Sequence, residues 1–417
     1  MKVGIVGLPN AGKSSLFNAL TQAGAEAANY PFTTVEPNVA IVPVPDERLD
    51  AVVDTVKATP TVYETIEFHD IAGLVRGAHK GEGLGNKFLA NIRETDALVH
   101  VVRAHGDDQV IHPEGRVDPL ADVETIETEL LFADLEQAER RLDKVTKEAK
   151  SGDSEKVAEK RWVEALIAAL QEGRPARTVP IPEDAPDALR NLSPLTAKPV
   201  LYVANVDEDA TSGAPDSALA LDGEGTGTRG GAGGAEGEGA GAGESADDGG
   251  GIAPGAGVAP AGDAPPGGLT PPPELVAHAE RLGARAAAVS ARLESELGEL
   301  DDEEAAAMRA DLGIAESGLA TVVREAWKLL GLISFFTAGE GKEGRAWAIR
   351  QGTSARRAAG RIHTDIEKGF VAAEVIGWRD LVDLGGYAAA RDQGKLRVEG
   401  RDYAVRDGDV MTVRFTP

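Results

Sequence analysis

The chain opens on a strand, a glycine-bounded loop and a helix, with nothing between them. Met1 to Val6 is a short β-branched apolar run. Gly7-Leu-Pro-Asn-Ala-Gly-Lys-Ser14 follows it, and Ser15-Leu-Phe-Asn-Ala-Leu20 has the apolar spacing of a helix. Few features limit a fold more. The pattern G-x-x-x-x-G-K-S turns the backbone so that successive N–H groups converge on one point, which needs glycine at Gly7 and Gly12. The positive end of the helix dipole adds to that point. A strand running into such a loop and helix is the first unit of a mainly parallel α/β sheet, and the ligand that fits the loop is a polyphosphate. Lys13 is placed to reach the β- and γ-phosphates, and the Ser14 hydroxyl to bind Mg²⁺.

A second half of the same chemistry lies downstream. The strand Thr65-Ile-Glu-Phe-His69 leads into Asp70-Ile-Ala-Gly73, fifty-six residues after Ser14. Asp70 is expected to hold Mg²⁺ through water, and the Gly73 N–H to sense the γ-phosphate. Between the two motifs lies Asn29-Tyr-Pro-Phe-Thr-Thr-Val-Glu-Pro-Asn38. A switch segment there needs a threonine to complete the cation's coordination. Thr33 and Thr34 both qualify, and Thr34 is preferred. The residue after Gly73 is Leu74, where Ras-like enzymes carry a water-orienting glutamine. A leucine side chain makes no hydrogen bond, so hydrolysis must use another group or be slow. Arg76 to Gly85 is too glycine-rich for regular structure and reads as a second switch. His79, Lys80 and His112 are polar candidates near the site, and a lone loop histidine is also often a plain surface residue.

Base selection rests on Asn205-Val-Asp-Glu208, after the strand Pro199-Val-Leu-Tyr-Val-Ala204. A guanine reader is Asn-Lys-x-Asp, whose aspartate accepts from N1–H and the 2-amino group. Here Val206 replaces the lysine and Glu208 the aspartate. Guanine specificity should weaken, and adenine becomes permissible. Ser290-Ala-Arg-Leu-Glu294 sits where a loop supporting the base belongs.

Composition separates the rest. Residues 209–269 are Gly, Ala, Pro and acid with almost no large aliphatics, so they cannot bury enough apolar area to offset chain entropy. They read as a disordered acidic insertion and carry about a third of the formal net charge of -26. Residues 123–190 read as a helical coiled-coil insertion. Leu131, Leu135, Ala138, Leu142 and Val145 recur at 4-3-4-3 spacing, and Trp162, Leu166 and Ala169 continue on a returning helix. Arg140, Arg141, Lys144, Lys147, Lys150, Lys156, Lys160 and Arg161 cluster near its tip, either as a solvated face or as an RNA contact. Residues 332–415 read as a small α+β domain with strands at Arg345–Arg350 and Gly369–Val375 and a helix at Ala355–Ile362. Lys395–Val405 and Asp407–Phe415 are expected to form a hairpin and final strand. Cysteine is absent, excluding disulfides and thiolate metal sites, and no apolar run is long enough to span a bilayer.

These residues together resemble the YchF-type branch of the Obg-related P-loop NTPases. The likeness rests on Gly7–Ser14, Asn29–Asn38, Asp70–Gly77, Gly81–Asn86, Asn205–Glu208 and Arg361–Phe370. It implies an α/β P-loop NTPase G domain (residues 1–330: a first part at 1–122, the coiled-coil insertion, then 191–208 and 270–330). A C-terminal α+β TGS domain follows. It implies ATP as the preferred substrate over GTP, with Mg²⁺ and a monovalent cation (K⁺) as cofactor candidates. Asn10, Ala11, Gly12, Lys13, Ser14 and Ser15 would bind phosphates; Ser14, Thr34 and Asp70 would serve the metal; and Asn205, Val206, Glu208 and Ser290 would face the base. His112, with Lys13 and Gly73, would carry hydrolysis. The expected partners are the ribosome and rRNA, in the cytoplasm, with no membrane and no DNA.

Overall fold

The computed structural model describes residues 1–27, 38–71, 84–106, 115–208 and 268–416. Thr34, Gly73, Leu74, His79, Lys80 and His112 lie outside them, as does nearly all of the acidic insertion. Chain order begins β1 (Lys2–Val6), α1 (Lys13–Ala27), β2 (Val39–Val44), α2 (Glu47–Val56), β3 (Thr61–Val62), β4 (Glu64–Asp70), α3 (Leu84–Arg93), β5 (Ala97–Arg103), α4 (Pro119–Glu148), α5 (Ser154–Gln171), α6 (Ala188–Leu192) and β6 (Val200–Asn205). It continues α7 (Pro273–Arg281), β7 (Arg285–Val289), α8 (Ala291–Leu297), α9 (Asp302–Asp311), α10 (Gly318–Leu329), β8 (Leu332–Gly339), β9 (Lys342–Arg350), α11 (Ala355–Ile362), α12 (Thr364–Lys368), β10 (Phe370–Gly377), α13 (Trp378–Asp383), α14 (Tyr387–Asp392), β11 (Arg397–Glu399) and β12 (Asp409–Phe415).

The first sheet has the order β2-β4-β1-β5-β6-β7, parallel except where β2 runs against β4. Every residue of β5 and β6 is buried, as central parallel strands covered on both faces require. One face packs on Leu16 and Leu20 of α1 and on Val322 and Val323 of α10. The other packs on Phe88 and Ile92 of α3, Val123, Ile126 and Leu130 of α4, and Leu275 of α7. Parallel strands deliver their carboxyl ends to one edge. Ile5 lies beside Asp70, and Arg103 beside Asn205. The site is built along that edge.

The helical pair starts earlier than its apolar seam indicates. Asp118 caps α4 by accepting from the Ala121 N–H at 3.0 Å, and Pro119 occupies the first turn, where its missing N–H costs nothing. The seam itself stands as read. Ala138, Trp162, Val163 and Leu166 are buried in one cluster, with Leu131, Leu135 and Leu142 packed against it, and Val145 is buried as well. Gly152 turns the chain at φ 79°, and Asp153 caps α5. The root is pinned by Asp134, fully buried, which accepts from the Leu195 N–H, the Thr196 N–H and the Thr196 hydroxyl, each at 2.7 Å. The stretch expected to be irregular to Gly85 is already helical from Leu84, the start of α3.

The second sheet runs β11-β10-β12-β8-β9-β3. The hairpin expected at Lys395–Val405 does not form, while the final strand expected at Asp407–Phe415 is present as β12. β11 and β12 pair with opposite edges of β10 instead. A strand's pattern specifies its faces and leaves its neighbour open. The larger surprise is β3, which comes from the nucleotide half of the chain and pairs in parallel with β9, Thr61 opposite Gly344. With it comes α2, whose Leu49, Val52, Val53 and Val56 share a core with Phe336, Ala346, Ile376 and Val410. No helix among the described residues is long and apolar enough to cross a membrane.

Candidate nucleotide-binding site

The phosphate loop has the backbone its glycines promised. Gly12 takes φ 98°, and a Cβ there would run into the Asn205 side chain, so only glycine fits. Asn10 also adopts a left-handed backbone at φ 65°. The Leu16 N–H returns to the Gly12 carbonyl at 2.9 Å, starting the α1 ladder within the loop. Lys13 is nearly covered, and its ammonium donates to the Leu8 carbonyl at 2.8 Å. Burial pulls its pKa below the ordinary lysine value, and the Asp70 carboxylate opposes that shift. The two residues therefore share one electrostatic site although Lys13 opens α1 and Asp70 closes β4. Ser14 and Ser15 are exposed in the first turn of α1.

Asp70 shows what is missing from the protein's own contacts. Its Oδ1 is buried and has no hydrogen-bond partner. A buried carboxylate oxygen normally finds a donor. One held beside a lysine at the mouth of a phosphate loop suits a hydrated divalent cation. Among the described residues no group of three or more His, Asp or Glu could hold a metal by itself. Mg²⁺ takes one or two protein ligands and fills the rest with phosphate oxygens and water, so the Asp70 carboxylate and the Ser14 hydroxyl would suffice as its protein donors.

The base-side residues divide. Asn205 is buried, and its amide nitrogen donates to the Ala11 carbonyl at 3.3 Å while its oxygen accepts from the Ala291 N–H at 3.0 Å. It ties the phosphate loop to the loop after β7. Ser290 is also buried, and its hydroxyl caps α8 by accepting from the Leu293 N–H. Val206 follows Asn205 at the carboxyl end of β6. Its side chain lies in the core with Leu8, and its N–H is bonded to the Val289 carbonyl, because the strand end must close the sheet there. Glu208 sits partly exposed beside Arg292, with Oε1 3.6 Å from Nε. Arg292 was not singled out from the sequence, although it stands two residues after Ser290.

Behind the loop lies a polar group that no motif announces. His100 of β5 packs on Tyr202 of β6 with ring centroids 5.7 Å apart. Glu127 of α4 accepts from the Tyr202 hydroxyl and lies 3.0 Å from His278 Nε2. Burial pushes His100 down to about 4, and Glu127 opposes the shift, so the imidazole is neutral. These residues join the central sheet to the root of the helical pair.

Comparison with known proteins agrees with this geometry. A family model described as a 50S ribosome-binding GTPase matches residues 2–134. A YchF-type GTPase C-terminal model, described as a protein of unknown function, matches residues 332–416. The ribosome-binding ATPase YchF of Haemophilus influenzae is 44% identical over 416 residues, covering 99% of both chains. The chain belongs to the YchF family. The YchF protein of Bacillus subtilis, described in the same words, is 43% identical over 415 residues, covering 100% of this chain and 99% of that one. A solved structure of the Schizosaccharomyces pombe YchF GTPase superposes with a TM-score of 0.76 at 31% identity, covering 99% of this chain and 97% of that one. As a YchF member the chain is a P-loop nucleoside triphosphate hydrolase, with a helical insertion and a C-terminal YchF domain.

Proposed function

We propose that the protein is a slow ATPase that acts as a nucleotide-dependent switch on the ribosome. The observation that carries the base assignment is the pairing of Glu208 with Arg292, together with the withdrawal of Val206 into the core. A guanine site needs a carboxylate free to accept two donors and an aliphatic stem over the ring. Val206 supplies no stem over the ring, and Glu208, longer than an aspartate, is only loosely placed, 3.6 Å from an Arg292 that bonds Glu296 at 3.1 Å; adenine demands neither group. Mg²⁺ would be held by Ser14 and by Asp70 through water, with Thr34 completing the set, and would neutralise charge on the phosphates. Lys13 moves from the Leu8 carbonyl to the phosphate oxygens when triphosphate binds. His112 is the candidate for orienting the attacking water, with the Gly73 N–H on the γ-phosphate.

The relatives' printed name supports the ribosome as partner, and such a partner would place the protein in the cytoplasm. The helical tip supports an rRNA contact, in narrower form than the sequence suggested. Arg140 pairs with Glu136, Arg141 with Glu159, Lys156 with Glu159 and Lys160 with Glu164. Lys144, Lys147, Lys150 and Arg161 are exposed and enter no ion pair among the described residues, so they are the free charges. Titration of ATP and GTP against the Mg²⁺-loaded protein tests the base; clearly tighter GTP binding overturns it. Co-sedimentation with ribosomes in ATP and ADP tests the switch, and equal binding in both overturns it in favour of a binding module. Leu74→Gln alone should leave turnover slow.

A further inference from the structure

The strands β2 and β4 form an antiparallel ladder from Val39 opposite His69 to Val44 opposite Glu64. Its head is at the nucleotide site. Asp70 closes β4 there, and the Asp70 N–H bonds to the Asn38 carbonyl at 3.0 Å. Its tail does not end in a turn. It leaves the first sheet as α2 and β3 and becomes part of the C-terminal body. The Thr59 N–H donates to the Lys342 carbonyl at 2.8 Å, and the Gly344 N–H to the Pro60 carbonyl at 2.9 Å. Arg48 bonds Asp46 and Asp407, each at 2.7 Å, and its guanidinium lies over the Phe336 ring. At the last ladder position, Glu64 accepts from the Ala348 N–H at 2.9 Å and pairs with Arg361 at 3.4 Å. The covalent route from α10 into the same body is a single connection through Gly331, at φ 62° with nothing near its Cβ position.

The body is thus joined to the ladder by a shared core, a strand pairing and charged contacts, and to α10 through Gly331 and a narrower contact in which Leu332 and Ala348 share a core with Val322, Val323 and Ala326. We propose that residues 38–70 are a lever that carries nucleotide state to the C-terminal body, which moves with the ladder and pivots near Gly331. The body's buried surface with α2 is continuous core, and packed cores shift as units rather than deform. By reciprocity, anything that binds the C-terminal body and prefers one setting changes the affinity for triphosphate by the same factor. The lever rests on the triphosphate-switch reading, and needs neither the choice of base nor the ribosome.

The chain has no cysteine, so paired cysteines take labels only where placed. Asp54 on α2, Gln393 beyond α14 and Ala277 on α7 are exposed. Spin-label distances are read for Asp54→Cys/Gln393→Cys and for Ala277→Cys/Gln393→Cys, with ADP and with non-hydrolysable ATP and GTP analogues in Mg²⁺. The 277–393 distance should shift between diphosphate and triphosphate while the 54–393 distance stays fixed. With nucleotide occupancy confirmed in the same sample, an unchanged 277–393 distance overturns the lever alone. So does a 54–393 distance that moves as much. Failure of both triphosphates to bind overturns both the lever and the switch.

Discussion

The Asn205 amide nitrogen lies 3.3 Å from the Ala11 carbonyl, so the last residue of β6 holds the phosphate loop by its backbone. The same side chain takes the Ala291 N–H. Replacing it by alanine strands a buried donor and frees the loop, at a cost of about 1–3 kcal/mol. Asn205→Ala should weaken both ATP and GTP about tenfold or more without changing their ratio. A calorimetric titration with each nucleotide checks this, and a change confined to one base would make Asn205 a base reader instead.

Lys13 donates to the Leu8 carbonyl at a desolvation cost that the Asp70 carboxylate only partly offsets, so it stabilises the fold little. Lys13→Met should leave the melting temperature unchanged or slightly higher. It should cut triphosphate turnover by about a hundredfold or more, since a donor aimed at developing phosphate charge is lost. Thermal melts and phosphate release, measured on the same preparation, separate the two effects.

At the helical tip the charges are not equivalent. Glu159 is buried and held by Arg141 and Lys156. Arg141→Ala should destabilise the helical pair by about 3 kcal/mol, because a buried carboxylate loses a partner. Lys144, Lys147 and Lys150 changed together to glutamate should keep helicity and lower ribosome co-sedimentation, more at low salt than at high. Unfolding curves and salt-dependent sedimentation distinguish structural from contact charges.

His100 makes stability pH-dependent. Its folded pKa of about 4 lies below the unfolded value of about 6.5, so the unfolded chain binds the extra proton between them. The contribution is fully present above pH 6.5 and is lost as pH falls toward 4, up to about 3 kcal/mol. Glu127 adds a loss in the same direction at lower pH. Burial raises its pKa, but hydrogen bonds from His278 and Tyr202 outweigh this and hold it below the ordinary carboxylate value. Denaturant midpoints from pH 7 to pH 5 should fall, and His100→Phe should flatten that slope.

What depends on near neighbours could be read along the chain. Gly7, Gly12, Lys13 and Ser14 lie within eight residues, and their backbone turn follows from local sterics. The seam of the helical pair was legible because Ala138 and Val145 repeat at helical spacing. Asp70 was legible by its place after a strand. Tertiary structure alone decided the rest. Arg48 meets Asp407 across 359 residues, and β3 completes a sheet whose other strands all follow residue 331. Alternation specifies which face of a strand is buried and says nothing about which strand lies beside it. Val206 entered the core, and β11 and β12 took opposite edges of β10, for the same reason: pairing and burial are settled by the whole chain closing its hydrogen bonds and cores together.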